Sequence, residues 1–160
     1  MTTSTPNTRI SIRSATRADR EFLDELADRL GDFEPPKWRT AEEIASGDRR
    51  ALLEQLDSPS SDSALFIAML DGVRAGCLLM WTLEDYFIRE RHGHISVLAV
   101  TKAAEGHGVG AALMAHAEKW TRARGLQMLT LSVFETNRRA QALYERSGFE
   151  VELRRYLKPL

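Results

Sequence analysis

The stretch Glu105-Gly106-His107-Gly108-Val109-Gly110 decides the fold class of this 160-residue chain. It follows an apolar segment, His94 to Val100, and precedes a run with helical periodicity, Ala111 to Arg124. A buried strand, a glycine loop and a helix in this order form an anion site. Glycines let the backbone approach a ligand, while the free amides of the helix's first turn and the helix dipole attract negative charge. The stretch therefore predicts a site for a phosphate-containing ligand.

Three interpretations of the glycine loop are open at this point. A Walker-type loop requires Gly-Lys-Ser or Gly-Lys-Thr, whereas this helix opens with Ala111-Ala112-Leu113, so we reject it. Gly106, Gly108 and Ala111 match the spacing of the dinucleotide-binding motif G-x-G-x-x-A. In that motif the strand leads directly into the first glycine, whereas here Thr101 to Glu105 lie between them. The third interpretation is a turn that serves packing only. Alternating glycines are conformationally costly for that role.

Working outward from the loop, hydrophobic periodicity predicts the order β-α-α-β-β-β-α-β-α-β with one parallel crossover late in the chain. The predicted strands are Arg9–Arg13, Ala64–Leu70, Val73–Thr82, His94–Val100, Leu126–Phe134 and, as one strand or two short ones, Phe149–Leu157. The predicted helices run from Thr16 to about Leu30, from Thr40 to about Leu56, over Ala111–Arg124 and over Asn137–Ser147. Capping boxes at Thr16 and Thr40 and a hairpin turn at Asp71-Gly72 delimit these elements.

The composition is that of an ordinary globular chain, with 43% hydrophobic residues, 28% charged residues and a formal net charge of −1. With a net charge so close to zero, the chain as a whole does not attract nucleic acid or anionic lipid electrostatically. The longest apolar run, Ala64–Leu70, is too short to span a bilayer. We therefore expect no nucleic-acid or membrane partner. The one cysteine, Cys77, is predicted to be a buried, inert thiol, which suits a reducing, cytoplasmic location. Residues 1–8 are expected to form a flexible lead before a single domain, 9–160.

Two blocks together resemble the GNAT superfamily of acetyl-coenzyme A-dependent N-acetyltransferases. Leu98-Ala99-Val100 followed by Gly108-Val109-Gly110 is similar to the family's strand end and Arg/Gln-x-x-Gly-x-Gly/Ala loop. The second block is Asn137 to Phe149, where the asparagine, an alanine, the tyrosine and the closing Gly-Phe fall at family spacing. The resemblance implies a mixed α/β (α+β) fold with a mostly antiparallel sheet flanked by about four helices. The sheet would be splayed between the strand ending near Val100 and the strand starting near Leu126.

The resemblance also implies acetyl-coenzyme A as cosubstrate, with its pantetheine arm in the splay and its pyrophosphate on the glycine-loop amides. The implied cofactor-binding residues are Leu98, Ala99, Val100, Gly106, His107, Gly108, Val109, Gly110, Ala111, Asn137 and Tyr144. Asn137 would cap its own helix, bond pantetheine, or do both. The chain departs from the family at Glu105, which replaces the usual Arg or Gln and should repel a pyrophosphate. Either Glu105 turns to solvent or neighbouring cations offset it.

Acetyl transfer to an amine needs a base, a polarised thioester carbonyl and an acid for the leaving thiolate. The resemblance implies Tyr144 as the acid. His94, on the strand before the loop, is the first candidate base, and Glu84 and Asp85, just after the preceding strand, are its rivals. His92 and His94 could share a strand face, but two ligands are too few for zinc, so we expect no metal.

The acceptor site is predicted around the first two helices and their connection. The candidates there are Phe33, Glu34, Trp38, Trp81 and Glu84. Their carboxylates would suit a cationic amine, and packing is an equally good role for the tryptophans. Three functions follow from the resemblance: transfer to a small-molecule amine, transfer to a peptide amine, and non-catalytic acetyl-coenzyme A sensing. A homodimer is compatible with each of them.

Overall fold

The computed structural model describes residues 9–160, so the lead expected over 1–8 lies outside the described residues. The strands are β1 (Ile10–Ser14), β2 (Ser63–Leu70), β3 (Val73–Glu84), β4 (Arg91–Val100) and β5 (Leu129–Leu131). The α-helices are α1 (Arg20–Ala27), α2 (Ala41–Asp57), α3 (Val109–Ala123) and α4 (Arg138–Arg146). Short 3-10 turns lie at Arg17–Asp19, Asp28–Gly31 and Lys102–Ala104.

The strands form one five-stranded sheet in the order β1-β2-β3-β4-β5. The first four strands pair antiparallel, and β5 pairs parallel to β4 after the crossover through α3. The predicted mixed α/β fold class and its late parallel crossover are therefore confirmed. The predicted hairpin is also present, with Asp71 and Gly72 at positive φ angles of 49° and 80°.

The two faces of the sheet bury separate cores. On one face, α3 packs through Val109, Leu113 and Met114 onto strand residues such as Leu78 and Met80. On the other face, α1 and α2 cover a second set of strand side chains, and the buried residues of that core are Leu23, Leu26, Leu52, Leu65, Ile67, Cys77, Leu79, Val97 and Ala99. Alternation along β3 and β4 sends successive side chains to opposite cores. Both strands are therefore apolar on both faces.

The sheet opens between β4 and β5. These strands pair only from Gly93↔Leu129 to Ile95↔Leu131. The β3 register then shifts, because Leu79 lies opposite Val97 while Met80 lies opposite Ile95, which makes Ser96 a bulged residue. In the described part of the chain, residues 96–100 have no strand partner on the β5 side. This is the splay that the resemblance implies.

A buried carboxylate ties the first strand to the body of the sheet. Asp19 is fully buried and accepts hydrogen bonds from Arg13 of β1 at 2.7 and 2.8 Å and from Arg74 of β3 at 2.7 Å. Its Oδ2 also accepts from the Thr16 amide at 2.8 Å, which confirms the predicted capping box. The Arg13 hydrogen bond is the main cause that holds the pKa of Asp19 far below its usual value.

Several predicted bounds are wrong for identifiable reasons. The strands predicted to end at Thr82 and to begin at His94 are longer, since β3 and β4 pair up to Glu84↔Arg91. Helix α3 begins at Val109 because Gly108 already caps it. The strand predicted over Leu126–Phe134 pairs over three residues only. The strand predicted over Phe149–Leu157 is absent, since residues 150–160 are exposed and have no regular structure. Among residues 9–160, no helix is both long and apolar enough to cross a membrane.

Candidate active site

The glycine loop presents backbone amides at the open end of β4. Gly106 and Gly108 adopt left-handed φ angles of 76° and 84°, which L side chains rarely accept. Gly108 is the N-cap of α3, so the amides of Val109, Gly110 and Ala111 have no acceptor within the helix. Loop residues 106–108 are exposed. The loop can therefore accept an anion on its backbone, as the sequence predicts.

Gly110 allows α4 to approach the start of α3. A Cβ atom on Gly110 would lie 3.4 Å from Cδ2 of Leu143 and 3.9 Å from Cγ2 of Val100. The end of β4, the start of α3 and the middle of α4 therefore meet at one point. Tyr144 follows Leu143 directly, so it lies beside this junction.

Two arginines neutralise the carboxylate that departs from the family pattern. Arg139 of α4 donates to Glu105 at 2.8 Å, and Arg29, from the turn after α1, donates to the same oxygen. The Arg139 hydrogen bond, followed by that of Arg29, lowers the pKa of Glu105. Of the two arrangements that the sequence left open, neighbouring cations offset the charge. Arg29 also donates to the Val100 carbonyl at 3.4 Å, so this cluster borders the open strand end.

Asn137 is the N-cap of α4. Its side-chain oxygen accepts a hydrogen bond from the Ala140 amide at 3.3 Å. The capping role is therefore present, and a second role toward pantetheine stays a prediction. Gln141 also supports this corner, since its side-chain amide donates to the carbonyls of Phe134 and Glu135 at 3.0 and 2.8 Å.

Tyr144 is half-buried on α4, and its ring packs against the core beneath α3. The Phe149 ring lies at a centroid distance of 6.2 Å. Burial, with a further contribution from the charge of Asp48, raises the pKa of the Tyr144 hydroxyl. The phenol is therefore protonated at neutral pH and can donate a proton.

Asp48 is a titratable residue that the sequence interpretation did not single out. It lies on α2 between Ile44 and Leu52 at four-residue spacing, so it shares the buried face of the helix. No hydrogen bond or ion pair joins its side chain to another described residue. Burial raises its pKa to about 6. Its charge contributes, after burial, to the raised pKa of both Cys77 and Tyr144. The available signal was an acidic residue interrupting an apolar helical stripe.

His94 lies where β4 and β5 begin to separate. Its Nδ1 is 2.9 Å from the Thr130 hydroxyl of β5. Burial, and secondly the charge of His92, lowers the pKa of His94, so the ring is neutral near pH 7. His92 itself is buried, and its Nδ1 has no hydrogen-bond partner in the described structure.

Glu84 lies far from the glycine loop. It ends β3, pairs in register with Arg91 at the opposite end of β4 from Val100, and is exposed. Its carboxylate forms an ion pair with Arg89 at 2.7 Å. The strand from Arg91 to Val100 has ten residues, so its two ends are about 30 Å apart. This position argues against Glu84 as a base that acts beside the glycine loop.

The predicted acceptor residues are distributed unevenly. The Phe33 ring lies 5.5 Å from that of Phe134, on the segment that joins β5 to α4, so Phe33 contacts the wall of the splay. Trp81 packs against the core beneath α1 and α2. Trp38 and Glu34 are exposed on the connection between α1 and α2.

Two shallow depressions lie outside this splay. One, beside Arg29, is lined by residues that include Glu25, Asp32 and Glu42, and the other lies near Trp120. Neither depression is lined by Tyr144 or by the glycine loop. The candidate site is therefore defined by the free loop amides and the open edge of β4 instead of by a cavity. Within residues 9–160, no group of three or more His, Cys, Asp or Glu side chains is arranged to hold a metal ion.

The class of protein follows from this arrangement and from a family comparison. The model of the acetyltransferase (GNAT) family matches residues 23–149, which is more than half of the chain. The chain belongs to the acetyltransferase (GNAT) family, and the resemblance drawn from its two sequence blocks is confirmed.

Among curated proteins, the chain is similar to mycothiol acetyltransferases. It is 41% identical to the one from Salinispora tropica over 97 residues, which are 58% of this chain and 31% of that protein. It is 49% identical to the one from Beutenbergia cavernae over 57 residues, which are 36% of this chain and 19% of that protein. The matches therefore span a third or less of the length of these two relatives.

Solved structures share the fold over nearly the whole chain. Aminoglycoside N-acetyltransferase AAC(6')-Iy in complex with CoA superposes with a TM-score of 0.71 at 20% identity, covering 98% of this chain and 99% of that one. Ribosomal-protein-alanine N-acetyltransferase from Brucella melitensis biovar Abortus 2308 gives a TM-score of 0.69 at 18% identity, covering 95% and 100%. At these identities the likeness shows the fold.

Proposed function

We propose that this protein transfers the acetyl group of acetyl-coenzyme A to a primary amine of a small molecule, by direct attack within a ternary complex. The observation that carries the proposal is the open edge of β4 over residues 96–100, which has the glycine-loop amides at one end. Leu98, Val100 and Tyr144 pack against the same core. An extended thioester arm fits this gap because it can take the place of the missing strand.

The described residues suit such a ligand in three respects. The Leu98 backbone and the Val100 amide have no strand partner on the β5 side, so they can hydrogen-bond a pantetheine arm. The amides from Gly106 to Ala111 can hold a pyrophosphate. The guanidinium groups of Arg29 and Arg139, which donate to Glu105, can also attract a phosphate of the ligand. The cosubstrate supplies the activated acetyl group, and the protein supplies the positions of the reacting groups.

Tyr144 acts as the general acid in this proposal. The acceptor nitrogen attacks the thioester carbon, so a C–N bond forms while the C–S bond breaks. The thiolate leaves and receives the phenolic proton, since a phenol remains protonated at neutral pH and a free thiol has a reference pKa near 8.5. The acceptor nitrogen gives up two protons: the ammonium loses one to the base before attack, and the acylated nitrogen loses the second, which restores the tyrosine. The base then passes its proton to solvent, so one proton is released per turnover.

The proposed base is Asp48, with His94 as the alternative. Asp48 has no ion-pair partner among residues 9–160, and burial raises its pKa to about 6, so its carboxylate can accept a proton from the acceptor nitrogen near neutral pH. His94 is neutral and can also accept a proton, but its Nδ1 already forms a hydrogen bond with the Thr130 hydroxyl.

A peptide amine is the second candidate acceptor. A small molecule is supported by the names of the mycothiol and aminoglycoside acetyltransferases that resemble the chain, and a peptide by the ribosomal-protein-alanine acetyltransferase. Two exposed acidic residues, Glu25 and Glu42, line the depression beside Arg29 and would suit a polycationic small molecule. We propose a cytoplasmic location, which the free, buried Cys77 thiol supports.

The test is a panel of aminoglycosides, polyamines, amino sugars and peptides assayed for release of free thiol from acetyl-coenzyme A. Tyr144→Phe is the active-site variant, and Tyr86→Phe is its matched control, since Tyr86 is 84% exposed on the β3–β4 turn. We expect amine-dependent thiol release that Tyr144→Phe reduces and Tyr86→Phe preserves. Binding of acetyl-coenzyme A without thiol release for any amine would identify a sensor instead.

A further inference from the structure

A depression of about 440 Å³ lies at the end of the sheet opposite to the glycine loop. β1 begins beside that loop, since a Cβ atom on Gly108 would lie 3.8 Å from Cδ1 of Ile10. The strand ends at Ser14, which lines the depression. Likewise, α3 begins at the loop and carries Trp120, another lining residue, near its far end. This Trp120 depression is therefore separate from the splay between β4 and β5.

The walls of the Trp120 depression are mostly apolar. They include Leu56 of α2, Pro59 of the following loop, Phe66 of β2 and Trp120 of α3. The two aromatic rings are held in place, because both side chains pack against the core beneath α3. A concave site of this volume, with apolar walls and a few polar groups, is typical of sites for small molecules, and aromatic walls favour a ligand with a ring.

Gln55 gives the depression a buried hydrogen-bonding group. Gln55 and its neighbour Ser63 both line the depression, and each is only 7% exposed. The Ser63 hydroxyl donates to Oε1 of Gln55 at 2.7 Å, whereas Nε2 of Gln55 has no hydrogen-bond partner among residues 9–160. In that range, the only fully shielded side-chain atoms without a partner are Thr82 Oγ1 and His92 Nδ1. The Gln55 nitrogen is therefore not shut off from the depression, and its two N–H groups are available to a ligand.

Arg124 places a positive charge at the edge of the depression. Its Cζ lies 4.2 Å from the centroid of the Trp120 ring, and its guanidinium donates to the Ser61 carbonyl at 3.2 Å. These two contacts fix the guanidinium between α3 and the loop that leads into β2. The nearby acids Asp57 and Asp62 each pair with another arginine. Within residues 9–160, Arg124 forms no ion pair, so it is free to bind an anion.

We propose that the Trp120 depression is a second ligand site, which binds a small aromatic carboxylate. The ring of the ligand lies between the apolar walls, where it loses contact with water. Its carboxylate accepts hydrogen bonds from the Gln55 amide and the Arg124 guanidinium, whose planar donors match a carboxylate. None of the described residues that line the depression is acidic, so a cationic amine would meet Arg124 without a compensating charge. The acceptor amine of the proposed reaction therefore does not suit this site.

The first test titrates the ¹⁵N-labelled chain with phenylacetate and follows its NMR spectrum. We expect saturable shifts of the Gln55 side-chain amide and the Trp120 indole signals, with a Kd of about 1 mM or below. Phenylacetamide has the same ring without the charge, and acetate has the charge without the ring, so each should bind at least about tenfold more weakly. Equal affinity for phenylacetamide would refute the carboxylate class. Shifts confined to residues 106–110, or no saturable shift, would overturn the site.

The second test removes the two donors separately. Arg124→Gln should raise the Kd for phenylacetate about fivefold or more, and because Arg124 is exposed, the variant should keep the wild-type fold. Arg122→Gln is its matched control and should bind like wild type, since Arg122 is exposed on the same helix and pairs with Glu118. Gln55→Leu keeps the approximate volume without the donors and should raise the Kd about tenfold, with circular dichroism as the check on folding. A wild-type Kd in Arg124→Gln, or in folded Gln55→Leu, would overturn the proposal.

Discussion

Replacing Asp48 with asparagine tests the residue that the sequence interpretation missed. Burial raises the pKa of this carboxyl from 3.8 to about 6, a difference worth about 3 kcal/mol if it is expressed in full. The side chain is only half-buried, so water screens part of the effect, and we expect about 1–2 kcal/mol. Ionised Asp48 therefore destabilises the folded protein by that amount, as groups held in place for function often do.

The sign of the pH dependence follows from where the proton binds more tightly. Between about pH 4 and 6 the folded state binds the Asp48 proton better than the unfolded state, so stability falls as the pH rises through this window. Below it the penalty is absent, and above it the penalty is complete. Asparagine cannot ionise. Asp48→Asn should thus gain about 1–2 kcal/mol over wild type at pH 7.5 and almost nothing at pH 4.

The measurement is urea unfolding of wild type and Asp48→Asn at half-unit pH intervals from 4 to 8. Activity is followed in parallel, since loss of a general base should lower kcat about 10²-fold and remove the acidic limb of kcat/KM, with its midpoint near 6. Glu54→Gln is the control, because Glu54 is exposed on the same helix. His94→Gln tests the alternative base: if His94 is the base, this substitution and not Asp48→Asn should remove the acidic limb of kcat/KM. Equal pH dependence of stability in wild type and Asp48→Asn, or an unchanged kcat, would refute the reasoning.

Three further substitutions test the cofactor site and the acid. Tyr144→Phe should lower kcat by roughly 10²-fold with little change in the Kd for acetyl-coenzyme A; an equal kcat under single-turnover conditions would remove Tyr144 from the mechanism. Glu105→Gln should tighten acetyl-coenzyme A binding, because it releases Arg29 and Arg139 toward the phosphates, and calorimetry should show the gain shrinking in salt. A loss of affinity would mean that Glu105 makes a needed contact. Gly108→Val, at a φ of 84°, should weaken binding about tenfold and lower stability by about 1–2 kcal/mol, and unchanged affinity would contradict the loop assignment.

The sequence was sufficient for the parts of the fold that depend on local pattern. Apolar runs predicted β2 and β3, the Asp71-Gly72 pair predicted their turn, and the glycine loop predicted the start of a helix. These signals work because neighbouring residues alone determine strand faces, turn angles and helix caps. The prediction of a strand over Phe149–Leu157 is wrong for the converse reason: residues 150–160 pair with no other strand, and whether a segment finds a partner edge cannot be inferred from its own sequence.

The candidate site was predictable only in its backbone. Glycines at positive φ and the Asn137 cap can be recognised in sequence. The partners of Glu105 cannot, because Arg29 is 76 residues away and meets it only after α1 has packed. Asp48 is likewise an unremarkable acid on a polar-looking helix until the helix face is known. Contacts of this kind depend on the packing of distant elements.

The Arg13–Asp19–Arg74 cluster has a consequence for the order of folding. β2 and β3 close a local hairpin, whereas β1 must return across the chain to pair Ile10 with Leu70, at a greater cost in loop-closure entropy. The cluster joins β1 to β3 and so can form only after that late step. Asp19→Asn should therefore accelerate unfolding while leaving the refolding rate nearly unchanged, which stopped-flow chevron plots would measure. A slower refolding rate would show instead that β1 docks in the transition state.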